Sequence, residues 1–176
     1  HTEVRRELAR FAERLEREAE EQPGGGMDQL LQAAAILRDK LGDSAAAVSP
    51  LTKAHSLRPT NRSLLDALCN ALAASGQQRD AVSAATEAID ATPESATADV
   101  IELLRLRARL WTSCGEFDSA VADLDRALAL GGEGALPELR EALEHARADA
   151  ARRSDFDSER KATLRLPEIL TRLGSP

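Results

Sequence analysis

Arg105 and Arg109 stand four residues apart, one helical turn, so both guanidiniums fall on one face of a helix. Two planar forks side by side can hold a carboxylate through paired hydrogen bonds, which a lysine ammonium cannot do. Glu102 lies three residues before Arg105 and is placed to neutralise it. The pair therefore reads either as an anion grip or as an internal ion pair. Little else could carry chemistry. His1, His55 and His145 are far apart and no CxxC occurs, so no metal is expected. Gly24 to Gly26 precede a helix but lack the Lys and Ser/Thr of a phosphate loop, and read as a linker. Glu138, Glu141 and Glu144 read as solvated charge, because carboxylates catalyse only in a dry pocket that pushes their pKa values apart. His145 is expected at the surface. No nucleophile stands beside a base, so neither an enzyme nor a cofactor is expected.

Composition sets the elements that must position these residues. The 176 residues include three Phe, one Trp and no Tyr, while 30% are charged. Ala, Leu, Arg and Glu dominate, which favours helices over sheets. The net charge of −7 repels phosphate backbones, so nucleic acid is not an expected partner. Cys69 and Cys114 read as reduced, small hydrophobes inside helices. No run is long enough to span a membrane, and no signal-peptide pattern is read in these residues. A cytoplasmic location is expected. Of 23 basic residues only Lys40, Lys53 and Lys161 are lysine, a bias compatible with a GC-rich bacterial genome. The chain opens at His1 inside a charged helical pattern, and reads as a segment excised from a longer protein.

Val4, Leu8, Phe11 and Leu15 form a seam along one side of a helix expected over residues 1–22. That seam can dock on the chain itself or pair with a second copy in a homodimer. Residues 23–27 carry Pro23 and three glycines, and read as a hinge. Beyond them the sequence repeats. Gly42, Ala47, Ala54 and Pro59 match Gly76, Ala81, Ala88 and Pro93, every pair 34 residues apart. A third copy, 39 residues on, places Gly115, Ala120 and Ala127 in the same slots. The Gly ends one helix in a left-handed conformation, the alanines let helices approach closely, and the Pro stops the second helix. In the first helices Leu31, Ala34 and Ala35 align with Leu65, Leu68 and Cys69, then with Leu104, Arg107 and Ala108. Helix starts are expected near Asp28, Asp43, Asn61, Gln77, Pro93 and Glu116.

This pattern resembles the tetratricopeptide repeat family. Arg38 and Leu72 depart from it at the usual aromatic slots, where only Trp111 matches; Leu51, Ala85 and Leu124 replace a bulky aromatic in the second helices. Arg107 occupies a normally apolar slot and Gly132 replaces the terminal Pro. A degenerate fourth copy places Ser154 in the Gly slot, with Leu143, Ala146 and Ala150 facing inward and Asp155 and Phe156 mirroring Glu116 and Phe117. Pro167 is expected to break the last helix, leaving 167–176 as a short cap. The fold expected is thus all-α, an α-solenoid of antiparallel helical hairpins over 28–166, three clear repeats plus a degenerate fourth, with an extra N-terminal helix.

The resemblance implies that the first helix of each repeat lines a concave groove. Its outward residues are Gln29, Gln32 and Ile36; Ser63, Asp66 and Asn70; Glu102, Arg105 and Arg109; and then Glu141, Glu144 and Arg152. Among these Gln32, Asp66, Asn70, Glu102, Arg105 and Arg109 are the candidate peptide-binding residues, with the arginines anchoring an acidic or C-terminal peptide and Asn70 supporting them. Trp111 and Phe117 are expected to pack within their hairpin. The function expected is a non-catalytic scaffold binding a peptide or partner helix of another protein. The alternatives are a regulatory or sensory segment of a larger enzyme or transcription regulator, and self-association through the N-terminal helix.

Overall fold

Each hairpin turns on one residue held in the left-handed region. Gly42, Gly76 and Gly115 have φ of 68°, 77° and 76°, and Ser154 takes the same role at 56°. In the computed structural model, which describes residues 2–174, α1 (Thr2–Glu21) is followed by α2 (Met27–Ala35) and α3 (Val48–Leu57), then α4 (Arg62–Ala74) and α5 (Gln78–Ala91). After these come α6 (Thr97–Ser113) and α7 (Phe117–Ala129), then α8 (Leu136–Arg152) and α9 (Phe156–Arg172). Among the described residues there is no strand. The chain divides into two compact units, one ending at Ala91 and one beginning at Thr92.

The turns share one hydrogen-bond pattern. The amide after the left-handed residue donates back to the last turn of the first helix, Gln77 to Leu72 O (2.8 Å), Glu116 to Trp111 O (3.0 Å) and Asp155 to Ala150 O (2.9 Å). The first hairpin departs by one residue, because Asp43 donates to Leu37 O at 2.9 Å across a wider loop. The cause is a π-type turn over Ile36–Lys40, in which the Leu41 amide reaches Ile36 O at 3.1 Å. That extra residue shifts the buried stripe of α2. Leu30, Ala33, Ala34 and Leu37 are buried, whereas Leu31, expected in the stripe, is 40% exposed.

Two further expectations are corrected. The second helix of the first hairpin starts at Val48 and not near Asp43. Asp43 does cap the segment, accepting the Ala46 amide at 2.9 Å, but Pro50 has no N–H to give Ala46 O, and Val48 bonds back only three residues to Ala45. The other helices start within four residues of the expected positions. Pro167 does not break α9, which continues to Arg172. The proline sits on the exposed side, where water can reach the freed Thr163 carbonyl, and the buried stripe of Ala162, Leu166 and Ile169 runs past it.

In the first unit α1 packs on α2, α2 on α3, α3 on α4 and α4 on α5. In the second, α6 packs on α7, α7 on α8 and α8 on α9. Ala47, Ala81 and Ala120 are wholly buried, as the repeat slots require. Along α1, Leu15 is buried, Leu8 and Phe11 are half-buried, and Val4 is 57% exposed. Glu16 accepts from Ser49 (2.8 Å) and Lys53 (3.3 Å), and Glu20 from Lys53 (2.6 Å), which ties α1 to α3. The hydrogen bond from Lys53 holds the Glu20 carboxyl below its ordinary range.

Candidate functional site

Gln32, Asp66 and Asn70 lie in the first unit, and Glu102, Arg105 and Arg109 in the second. In the first unit Gln32 and Asn70 are exposed, and Asp66 accepts from Arg62 at 2.9 Å, one turn earlier on α4. In the second, the arginine pair holds a carboxylate, and it is the chain's own. Arg105 Nε and Nη2 donate to the two oxygens of Glu138 at 2.7 and 3.2 Å. Arg109 Nη1 donates to the same carboxylate at 2.9 Å, and Arg105 Nη1 reaches Glu102 at 2.7 Å. The bond to Glu138 is the main cause that holds the Arg105 guanidinium above its ordinary range. Glu138, read from the sequence as solvated charge, is therefore structural. Spacing within α6 pointed to Glu102 alone. The second acid belongs to α8, and no periodicity within one helix could find it.

Beside this network a crevice of about 290 Å³ opens between α6 and α8. Ala108, Leu124 and Ala142 give it apolar lining, and Arg109, Thr112, Glu138 and Glu141 line it with polar groups. A second crevice, of about 250 Å³, opens in the first unit between α2 and α4. Leu31, Ala34, Ala35, Leu51, Leu64 and Ala67 line it, along with Arg38, Arg58, Asn61 and Ser63. The two are repeats of one another. Leu51 and Leu124 fill the same slot of their second helices. Leu64 corresponds to Ala142 and Ser63 to Glu141, and Ala34 corresponds to Ala108 once the extra residue of the π-type turn is allowed for. Sequence reasoning looked to the first helices, which also line these crevices, but missed their apolar lining, because it counted only outward-facing residues. The π-type turn also put Ala35 and Leu31, rather than Ile36 and Gln32, at the first crevice.

The polar lining differs between the two. In the first, Arg38 is paired with Asp39 (2.7 and 3.1 Å), while the Arg58 side chain meets no hydrogen-bond or ionic partner among the described residues. In the second, Arg109 is engaged by Glu138, while the Glu141 side chain has no such partner among the described residues.

Other charged residues are structural. Arg107, which stands in an apolar slot of the repeat, donates to both oxygens of Asp123 on α7 at 2.8 and 2.7 Å. Both side chains are largely buried, so each neutralises the other within the hairpin. Arg165 of α9 holds Asp125 of α7 likewise, at 3.0 and 2.6 Å. His145 is exposed against the Phe117 ring, with centroids 5.5 Å apart. Trp111 is half-buried. His55 is 2% exposed, and neither ring nitrogen has a hydrogen-bond partner among the described residues. Cys69 is buried and Cys114 half-buried, both as free thiols. Burial pushes the Cys69 thiol up to about 11. Among the described residues no group of three ligating side chains could hold a metal ion, and no helix is long and apolar enough to cross a membrane.

No family model matches the sequence, and no curated protein matches it. Solved structures do match. A crystal structure of MamA is 16% identical with a TM-score of 0.55, over 94% of this chain and 86% of that one. A second crystal structure of MamA protein is 14% identical with a TM-score of 0.50, over 98% of this chain and 93% of that one. At these identities the likeness is one of fold, an all-α solenoid of antiparallel helical hairpins.

Proposed function

We propose that this chain is a non-catalytic protein-interaction module that takes a peptide or partner helix against the first helices of its hairpins. One observation carries the reading: repeat-related crevices occur in both units, each with an apolar lining and charged groups at its mouth. Such a site suits a side chain that buries its stem and keeps a polar head near water. We assign contacts with the ligand's backbone and polar groups to Gln32, Asp66 and Asn70 in the first unit and to Glu102, Arg105 and Arg109 in the second. Arg109 also lines the second crevice, and Glu138, which lines it too, takes hydrogen bonds from both arginines. An acidic ligand finds the Arg105 fork already occupied by Glu138 and Glu102. The two free thiols suit a reducing compartment, and we place the protein in the cytoplasm on that ground.

The test is to select binders from a random twelve-residue peptide library and measure their affinity by fluorescence anisotropy. The variants Ala35→Phe and Thr112→Phe each fill one crevice from a half-buried position at its edge. At least one of them is expected to weaken binding by about tenfold, the equivalent of about 1.4 kcal/mol, with helicity unchanged. A library that yields no binder, or binders indifferent to both variants, contradicts the reading.

A second reading has its own observation. Val4 is 57% exposed, and Leu8 and Phe11 on the same face are only half-buried. An apolar row of this kind is an association patch, and we propose that it pairs with a second copy of the chain. Sedimentation of the wild type against Val4→Glu/Leu8→Glu tests it: a dimer reduced to monomer supports the pairing, and a wild-type monomer at high concentration removes it.

A further inference from the structure

We propose that the crevice of the second unit selects a lysine or arginine side chain of the bound partner. The proposal rests on the peptide-binding reading above and gives that site its ligand chemistry.

The charges at this mouth do not cancel. Arg105 spends its hydrogen-bonding fork on Glu138 and Glu102, and Arg109 is held by Glu138. Two guanidiniums and two carboxylates thus close on themselves. Glu141 is left over: it lines the crevice, it is exposed, and its side chain meets no partner among the described residues. The local charge a ligand meets is therefore negative, although a pair of arginines stands beside the site.

The shape agrees with the charge. Ala108, Leu124 and Ala142 line the crevice with hydrocarbon. A lysine or arginine carries a methylene stem that can lie on such a surface and a cationic head that must stay near water or a carboxylate. With the stem against Leu124, the head lies at the mouth beside Glu141, and Glu138 Oε2, which takes only one of the three arginine bonds, keeps a lone pair to accept with. A ligand carboxylate at the same place meets Glu141 unscreened and finds the Arg105 fork already taken by Glu138 and Glu102. An uncharged aliphatic side chain fills the lining but leaves Glu141 without a partner. The other unit differs on this point: Ser63 stands where Glu141 stands, and Arg58 is the unpaired charge, so a cation preference belongs to the second crevice alone.

The experiment uses the full chain and the same random twelve-residue library, panned in parallel on wild type, Glu141→Gln and Glu141→Lys. Because Glu141 is exposed and pairs with no described side chain, these substitutions leave the fold intact, which circular dichroism checks. Wild-type binders are expected to be enriched in Lys and Arg, and the enrichment to fall with Glu141→Gln and reverse with Glu141→Lys. For a selected peptide, replacing its basic residue by norleucine is expected to weaken binding to wild type about tenfold, and to change binding to Glu141→Gln far less. Raising salt from low to physiological strength is expected to weaken the wild-type complex most. Binders with no basic enrichment, or basic binders indifferent to Glu141→Gln, overturn the cation preference while leaving the peptide-binding module standing. A library that gives no binder to any of the three proteins overturns the module itself, and this inference with it.

Discussion

At the scale of single residues, three positions tie local chemistry to stability or reactivity. Ser154 holds a φ of 56° where the other hairpins use glycine. A side chain there is strained, and Ser154→Gly is expected to stabilise the second unit by about 1 kcal/mol, raising the melting temperature by about 2–4 °C. His55 is the opposite case, a polar ring in an apolar place. Its two nitrogens are buried with no partner among the described residues, so His55→Leu, which removes that desolvation cost at similar volume, is expected to stabilise by about 1–2 kcal/mol in urea unfolding. The sequence showed His55 only as a histidine remote from the others. Its burial follows from its position at the base of α3, in the slot that Ile89 fills one repeat later. Cys69 is a protonated thiol at neutral pH because burial lifts its pKa to about 11. An aromatic disulfide reagent at pH 7.5 is therefore expected to modify Cys114 first and Cys69 only as the chain unfolds.

At the scale of elements, glycine and alanine decide how closely helices meet. Gly26 opens α2 at a φ of 55° against α1, and a Cβ there would fall 2.4 Å from the Ala19 Cα. Gly26→Ala is expected to loosen α1, with a loss of about 2–3 kcal/mol and faster amide exchange over residues 8–19. Ala120→Leu is expected to cost about 1–3 kcal/mol by overpacking a site with no exposed surface. Most helix boundaries were legible because Gly42, Gly76, Gly115 and even Ser154 mark them in sequence. The misses have local causes. No residue type announces the π-type turn at Ile36–Lys40, so the stripe of α2 was read one residue late. Pro50 in the first turn of α3 delayed a helix expected to start near Asp43, so that Asp43 caps only the turn before it. Pro167 looked like a stop because sequence alone does not reveal that the proline lies on the solvated side of α9.

At the scale of the molecule, two compact units carry the same crevice in different electrostatic dress. The helices that line the crevices were readable from the repeat, and so were Arg105 and Arg109 as a pair able to grip a carboxylate. That their carboxylate is Glu138 was not readable, since it depends on α8 lying beside α6. The most direct measurement is amide chemical-shift mapping of the labelled full chain titrated with a library-selected peptide. The expected result is that the largest shifts fall on crevice residues, Ala35, Ser63 and Ala67 in the first unit or Thr112, Glu141 and Ala142 in the second. Shifts confined to Val4, Leu8 and Phe11 of α1, or to the outer side of α9, would contradict a binding surface on the first helices.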